Sequence, residues 1–394
     1  MVGAGFAGAV YARELAEAGW PGGGIDRRDH IGRTAGGGRP GGGGRGEALA
    51  RGHQSGATPW VPGDEPGPRR HVYGPHLFHT SNTRVVQWLE RFGAFVPYEH
   101  RVSALVPGRG CLPLPINRAT VNGVFGRALR TPAEVEAFLA SLAEPVPAPR
   151  NAAEHLNARV GRALTDLFYR PYSRKMWGLE LEEMDAAVVA RIPIRHDDED
   201  RYFPHDRFQA LPRDGYTAIV AAVLAHPAIR VTLNQPFDRS LLADVGFCFT
   251  SMPIDLYFEA AYGHLPYRSL RFHHRVEPAG YRLGPTAQVN LTDDTPITRE
   301  NDWSRLPGHH DGGPAKTVTR EEPCDWRDND GERLYPLRDA AGRSEAPYRR
   351  HVALAQHEPR LRFIGRCGTY RYLDMDQVIN QSLLGAHAWI QRHG

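Results

Sequence analysis

Gly3, Gly5 and Gly8 have the spacing that lets a strand turn tightly into a helix. At such a turn the backbone N–H groups approach a pyrophosphate, and the helix start behind them favours its negative charge. Phe6 sits inside the same turn, and Asp26 follows Gly8 by 18 residues. That is where a carboxylate accepts hydrogen bonds from the ribose of a bound dinucleotide. Positive charge elsewhere is nearly all arginine, since Lys175 and Lys316 are the only lysines in 394 residues. Guanidinium forks suit phosphate oxygens, which they bind through paired hydrogen bonds. No run has the spacing of a hydrolytic triad or a metal site. Cys111, Cys248, Cys324 and Cys367 form no CxxC pair, which fits a reducing cytoplasm and argues against a disulfide framework or zinc.

These residues need a scaffold of two or three packed units at this length. The 41% apolar and 9% aromatic content is that of an ordinary globular chain. No stretch approaches the roughly 20 apolar residues of a membrane span, and no secretory leader is visible. The net charge of +3 is dispersed, so no basic track for nucleic acid is expected. Helical spacing runs from Phe6 to Gly19, and again from Asn82 through Val85, Trp88, Leu89 and Phe92. Thr131-Pro132-Ala133-Glu134 forms a capping box with proline at the first helical position. Asn151 opens a helix through Leu156, Val160, Leu164 and Phe168, and the last helix runs from about Asp376 to His393. Strand-like runs lie at 101–115, 287–291, 317–319 and 361–364. Residues 33–70 are dominated by Gly, Pro and Arg and read as a low-complexity loop or disorder.

An ordered series of short runs carries a more specific signal. It begins with Tyr73-Gly-Pro-His76-Leu-Phe-His79-Thr, Pro97-Tyr-Glu-His-Arg-Val102 and Leu114-Pro-Ile-Asn117. It continues with Tyr172-Ser-Arg-Lys-Met-Trp177-Gly, Arg191-Ile-Pro-Ile-Arg195, Tyr202-Phe203, Gly215-Tyr-Thr217 and Tyr267-Arg-Ser-Leu270. Thr298-Arg299, Lys316-Thr-Val, Tyr335-Pro336 and Gly365-Arg366-Cys-Gly-Thr-Tyr370-Arg-Tyr372-Leu-Asp374-Met-Asp376 complete it. Together these runs resemble the UDP-galactopyranose mutase family over residues 1–32 and 71–394.

The resemblance implies an α/β fold: a discontinuous Rossmann-like FAD-binding domain, a helical subdomain and a mainly antiparallel β-sheet domain. The FAD-binding parts would be 1–80, 205–260 and 350–394, and the helical subdomain with a mobile substrate loop 112–194. The β-sheet substrate domain would be 95–111, 195–204 and 261–349. It further implies interconversion of UDP-galactopyranose and UDP-galactofuranose in the cytoplasm, without net redox change. In the family, reduced flavin N5 attacks the anomeric carbon and expels UDP, and the flavin–sugar adduct opens, recloses and recaptures UDP. NAD(P)H would be the reductant, UDP-galactose the small-molecule partner and a homodimer the assembly. By motif, Arg191 and Arg299 would clamp the diphosphate, with Tyr335 and Tyr372 donating to it. Phe168, Tyr172 and Trp177 would form the uracil platform, with Tyr202 and Asp374 on the substrate side. His76, His79, Arg268, Arg366, Asp374 and Met375 would stand near the flavin, with His79 assigned a catalytic role.

Four departures from the family bear on FAD binding. Only Met1-Val2 precedes the glycines where the family has an apolar strand. The sheet is therefore expected to lack its central strand, and a start placed too far downstream would account for this. The family's His-Ile-Gly-Gly-Asn segment reads His30-Ile-Gly32-Arg33-Thr34. Residues 33–70 are compatible with a shifted reading frame or an inserted disordered segment. Met252 stands where the family has glycine. A mutase-like protein without FAD, a mutase for another nucleotide sugar, and an FAD oxidoreductase of amine-oxidase type are the other readings. The motifs from Tyr172 to Tyr202 argue against the last.

Overall fold

The computed structural model describes residues 1–32, 37–38, 70–190, 192–309 and 312–394. Its first layer is a parallel sheet. Gly22–Ile25 pairs with Ile229–Thr232, and Cys248–Thr250 pairs with Leu361–Phe363. Val2 bridges Ile25 on one side and Thr250 on the other, both in the parallel sense. Its N–H donates to Phe249 O at 2.8 Å, and Ile25 N–H donates to Met1 O at 3.0 Å. Met1 and Val2 thus occupy the position between the two strand pairs and give the glycine turn its platform. The helix Phe6–Glu17 leaves that turn and packs against the last helix, Met375–His393, and against Tyr216–Leu224. Val10, Val220, Ile379 and Leu383 share the buried core between these elements.

The second layer is a seven-stranded sheet. Its order is Tyr335–Pro336, Tyr267–Pro278, Ala315–Asp325, Arg299–Asp302, Gln288–Leu291, Val102–Val106, Gly110–Leu114. Every pair is antiparallel except Gln288–Leu291 with Val102–Val106. A smaller antiparallel sheet, Phe78–Thr80, Phe208–Pro212 and Phe95–Pro97, carries His79. The mixed fold, largely antiparallel beside a parallel nucleotide-type sheet, is the class expected from the sequence. In the stretch 33–70, read as loop, Gly37–Gly38 and Arg70–His71 instead form a short antiparallel pair. The rest of that stretch lies outside the described residues.

Helices cover one end of the larger sheet. Asn82, Thr131 and Asn151 each cap the helix that follows, accepting the N–H three residues on. One helical reading needs correcting. The helix Ala152–Leu164 breaks at Gly161, where φ is 76°, and a π-helical turn, Thr165–Tyr169, leads into Arg170–Trp177. A Cβ at residue 161 would lie 2.8 Å from Leu142 Cβ, so only glycine allows this approach. The break turns Phe168 and Tyr172 toward the sheet. Among the described residues no helix is long and apolar enough to cross a membrane.

Candidate active site

A cleft of about 470 Å³ runs along the larger sheet, past Arg170–Trp177, to the N-terminus of the last helix. Phe168, Tyr172, Trp177, Tyr202, Arg299, Tyr335, Tyr372 and Asp374 line it, as do His76, His79, Arg366 and Met375. Residues distant in sequence are therefore brought into one space. Gly3, Gly5, Phe6, Gly8, Asp26 and Arg268 are not among its lining residues. Arg191 lies outside the described residues.

Strand register builds the floor. Asn290, Arg299 and Glu321 stand opposite one another across three strands, and Gln288, Asn301 and Thr319 form the adjacent row. Opposed residues share a face, so both rows present polar side chains together. Arg299 Nε donates to Glu321 Oε2 at 2.7 Å, and Asn301 Nδ2 donates to Glu321 Oε1 at 2.7 Å. Glu321 is fully buried at 0% exposure, so its charge depends on these donors. Burial opposes the Arg299 charge, but the Glu321 carboxylate outweighs it and holds the guanidinium firmly protonated. With Nε committed to Glu321, the terminal nitrogens remain for an anion in the cleft.

Three aromatic rings face this floor. Tyr335 and Tyr372 stack at 5.8 Å with an interplanar angle of 19°, and Trp177 meets both edge-on at 6.4 Å. Arg366 lies over Tyr372 at 5.1 Å while its Nε donates to Leu373 O at 3.1 Å. Burial pushes the Tyr172 phenol up to about 12 and raises Tyr335 as well, so both are hydroxyl donors near neutrality. Phe168 is buried in the helical core at the cleft edge. Arg268 donates to Met176 O at 2.8 Å and Lys175 O at 3.1 Å, which places it at the end of the helix that carries Trp177.

Histidines border the other side. Burial, with Arg366 and Arg299 nearby, lowers His76 to about 4 despite its bond to Gly74 O. Its Nδ1 meets that carbonyl at 2.9 Å, so Nδ1 carries the proton and Nε2 is an acceptor. His79 stacks on Phe203 at 3.5 Å and 9°, with Nδ1 2.7 Å from Asp206 Oδ2. Asp376, in the first turn of the last helix, accepts from Thr80 Oγ1 at 2.8 Å. His100, Gln288 and Asn290 also line the cleft, although sequence reading gave them no role. His100 lay inside a quoted motif. Gln288 and Asn290 alternate with Val289 and Leu291, a period-two signal that marks a polar face. Glu321 had no local signal, because register alone places it under Arg299.

The glycine turn is tightly built. Gly3 has φ 98°, and a Cβ there would collide with Ser251 Oγ; one at Gly8 would collide with the Gly3 carbonyl oxygen. Asp26 Oδ2 accepts from Ala4 N–H at 2.8 Å and Oδ1 from Arg28 N–H at 3.0 Å. Gly32 N–H donates to Ala4 O at 2.9 Å, so the His30-Ile-Gly32 segment folds back onto the turn.

A family model described as UDP-galactopyranose mutase matches residues 167–372. The chain is 32% identical over 393 residues to a Klebsiella pneumoniae protein named "Probable UDP-galactopyranose mutase", covering 99% of this chain and 94% of the relative. It is 31% identical over 401 residues to the dTDP-fucopyranose mutase of Escherichia coli, covering 100% of this chain and 98% of that one. Among solved structures, a reduced UDP-galactopyranose mutase superposes with a TM-score of 0.72 at 16% identity, covering 99% of this chain and 95% of that chain.

Proposed function

From the premise that this chain belongs to the UDP-galactopyranose mutase family, we propose that it interconverts UDP-galactopyranose and UDP-galactofuranose without net redox change. The observation that carries this reading is the Arg299–Glu321 pair on the cleft floor, facing Tyr172, Tyr335 and Tyr372. When the bond from the anomeric carbon to UDP breaks, negative charge accumulates on the diphosphate. A guanidinium already oriented by a buried carboxylate stabilises that charge without reorganising. The Tyr172 and Tyr335 hydroxyls, whose pKa values burial raises, supply uncharged donors beside it, and Arg191 is assigned to the same clamp by motif. Trp177 and Phe168 provide apolar surface for the base.

The residues around the glycine turn fit FAD. The turn closes so tightly that a Cβ at Gly3 would strike Ser251 Oγ and one at Gly8 the Gly3 carbonyl oxygen, and the helix Phe6–Glu17 starts there, the arrangement that brings backbone N–H groups toward a pyrophosphate. Gly3, Gly5, Phe6 and Gly8 would hold the diphosphate and Asp26 the ribose, with Arg366, Asp374, Met375 and the histidines at the flavin end. Bound and reduced, the flavin supplies an electron-rich ring nitrogen as nucleophile toward the sugar. His76, with Nδ1–H committed to Gly74, offers an acceptor nearby, and His79 is held in place by Asp206. We place the enzyme in the cytoplasm with NAD(P)H as its reductant.

The resemblance to dTDP-fucopyranose mutase over the whole chain favours one second reading, in which the substrate is another nucleotide sugar. The test begins with the visible spectrum before and after FAD and dithionite. UDP-galactofuranose and dTDP-fucofuranose are then each supplied to the reduced protein and the pyranose products quantified. A protein that binds and bleaches flavin but converts neither sugar would overturn the mutase reading. Preference for the deoxysugar would establish the second.

A further inference from the structure

Asp29, His30 and Tyr73 form a connected set where the glycine turn meets the cleft. His30 Nδ1 lies 2.8 Å from Asp29 Oδ1, and its Nε2 lies 2.9 Å from the Tyr73 hydroxyl. The two rings are 5.7 Å apart. The Asp29 side chain is 67% exposed and that of His30 13%, whereas Tyr73 lines the cleft. The set therefore runs from solvent to the site. Gly74, the neighbour of Tyr73, packs so closely on the cleft floor that a Cβ there would lie 3.0 Å from Glu321 Oε1. On the other side, Gly32 N–H donates to Ala4 O at 2.9 Å and ties the His30 segment to the glycine turn. Tyr73 thus stands where the glycine-turn half of the site meets the Arg299 floor.

These contacts allow two hydrogen-bonded states that differ by one proton. A carboxylate only accepts, so Asp29 holds a proton on Nδ1 in both. With the ring charged, Nε2–H donates to the Tyr73 oxygen, and the Tyr73 proton can be given away. With the ring neutral, Tyr73 O–H donates to Nε2 and the phenol oxygen becomes an acceptor. Contracting a pyranose to a furanose breaks the bond from the anomeric carbon to O5 and makes one to O4. O5 gains a proton and O4 loses one, so the conversion is proton-neutral but needs a group that gives and then takes. We propose that Tyr73 is that group, with His30 and Asp29 as the positioning residues behind it. As the ring opens, Tyr73 gives its proton to O5 and receives one from His30 Nε2. As the ring closes, O4–H gives its proton to Tyr73, the Tyr73 proton returns to Nε2, and Asp29 holds the imidazolium. The reverse conversion exchanges the parts of O4 and O5. The proposal rests on the UDP-galactose reading of the cleft and adds the proton transfer that ring contraction requires.

The test separates ring contraction from cleavage of the anomeric bond. The reduced, flavin-loaded protein is given UDP-galactose carrying 18O in the bridge between sugar and diphosphate. Breaking and remaking that bond moves the label to a non-bridging position, with no need to close the ring through a new hydroxyl. Conversion of UDP-galactofuranose to the pyranose is measured on the same preparation. Tyr73→Phe keeps the ring and removes the proton, so conversion should fall about 10²-fold while label exchange and bound flavin stay near wild type. Asp29→Asn removes the charge that holds the imidazolium and should lower conversion about tenfold with the same split. A purely structural role would lower exchange and conversion together. Equal conversion by wild type and Tyr73→Phe would overturn the proposal, and so would a matched loss of both activities. Where Tyr73→Phe loses its flavin, Asp29→Asn, changed at an exposed side chain, decides by the same comparison. Wild-type protein that neither exchanges label nor converts the sugar would instead defeat the UDP-galactose reading itself.

Discussion

The arginine at the centre of the site is unusual in how its charge is managed. Arg299 has a buried carboxylate behind it, and that carboxylate has a second donor in Asn301. Removing the guanidinium deletes the fixed positive charge that UDP needs as it departs. Arg299→Ala should therefore lower turnover by about 10²–10³-fold while the bound flavin spectrum stays unchanged. Survival of activity would remove Arg299 from the clamp. Glu321→Gln is a subtler case, because the amide keeps the shape but loses the charge that anchors Nε. Turnover should fall by roughly tenfold, with a smaller change in KM for the nucleotide sugar. Equal kinetics for wild type and Glu321→Gln would mean that Arg299 holds its orientation unaided.

Local chemistry was legible in the sequence where neighbouring residues determine it. The capping residues Asn82, Thr131 and Asn151 are examples, because side chain and target N–H lie three residues apart. Arg299, Tyr335 and Trp177 could be singled out by motif. Glu321, Gln288 and Asn290 were not given roles, since their significance comes from pairing between strands. The break at Gly161 escaped for a related reason: it depends on the close approach of Leu142 from another helix. Two elements lend themselves to experiment. Lys175 joins Arg170–Trp177 to the sheet, donating to Leu291 O at 3.1 Å, Ile297 O at 3.0 Å and Asp293 Oδ1 at 3.0 Å. Lys175→Met would leave these acceptors without their cation, at a cost of about 1–3 kcal/mol. Tyr172 and Trp177 ride on that helix, so KM should rise several-fold, with kcat changing less. A melt and a substrate titration on one preparation measure both effects. At the glycine turn, Gly8→Ala places a methyl against the Gly3 carbonyl, which cannot move without disturbing the sheet. Flavin retained per mole of protein should drop sharply; full retention would show that the turn has slack.

At the scale of the whole chain, the polar site is maintained by burial, and burial ties the fold to pH. His76 is held down at about 4, His100 at about 3 and His274 at about 4, in each case chiefly because the ring is removed from water. In the unfolded chain these rings take up protons near the ordinary value of 6.5. Below that pH the unfolded state binds protons that the folded state refuses, so stability is greatest above 6.5 and declines toward 4. Each histidine contributes a slope of up to about 1.4 kcal/mol per pH unit within that window. Urea denaturation at pH 7.5, 6 and 5 should show the midpoint falling at each step. His274 gives the cleanest control, since it is not among the cleft-lining residues and its Nδ1 contacts Thr319 Oγ1 at 2.8 Å. His274→Gln retains a polar partner for that hydroxyl and removes one titrating ring, so its decline should be shallower by about one proton. A wild-type midpoint that stayed flat from pH 7.5 to 5 would mean these rings are protonated or solvated in the folded protein. In that event the neutral His76 acceptor and the neutral His100 ring would both have to be abandoned, because they depend on the same exclusion of water.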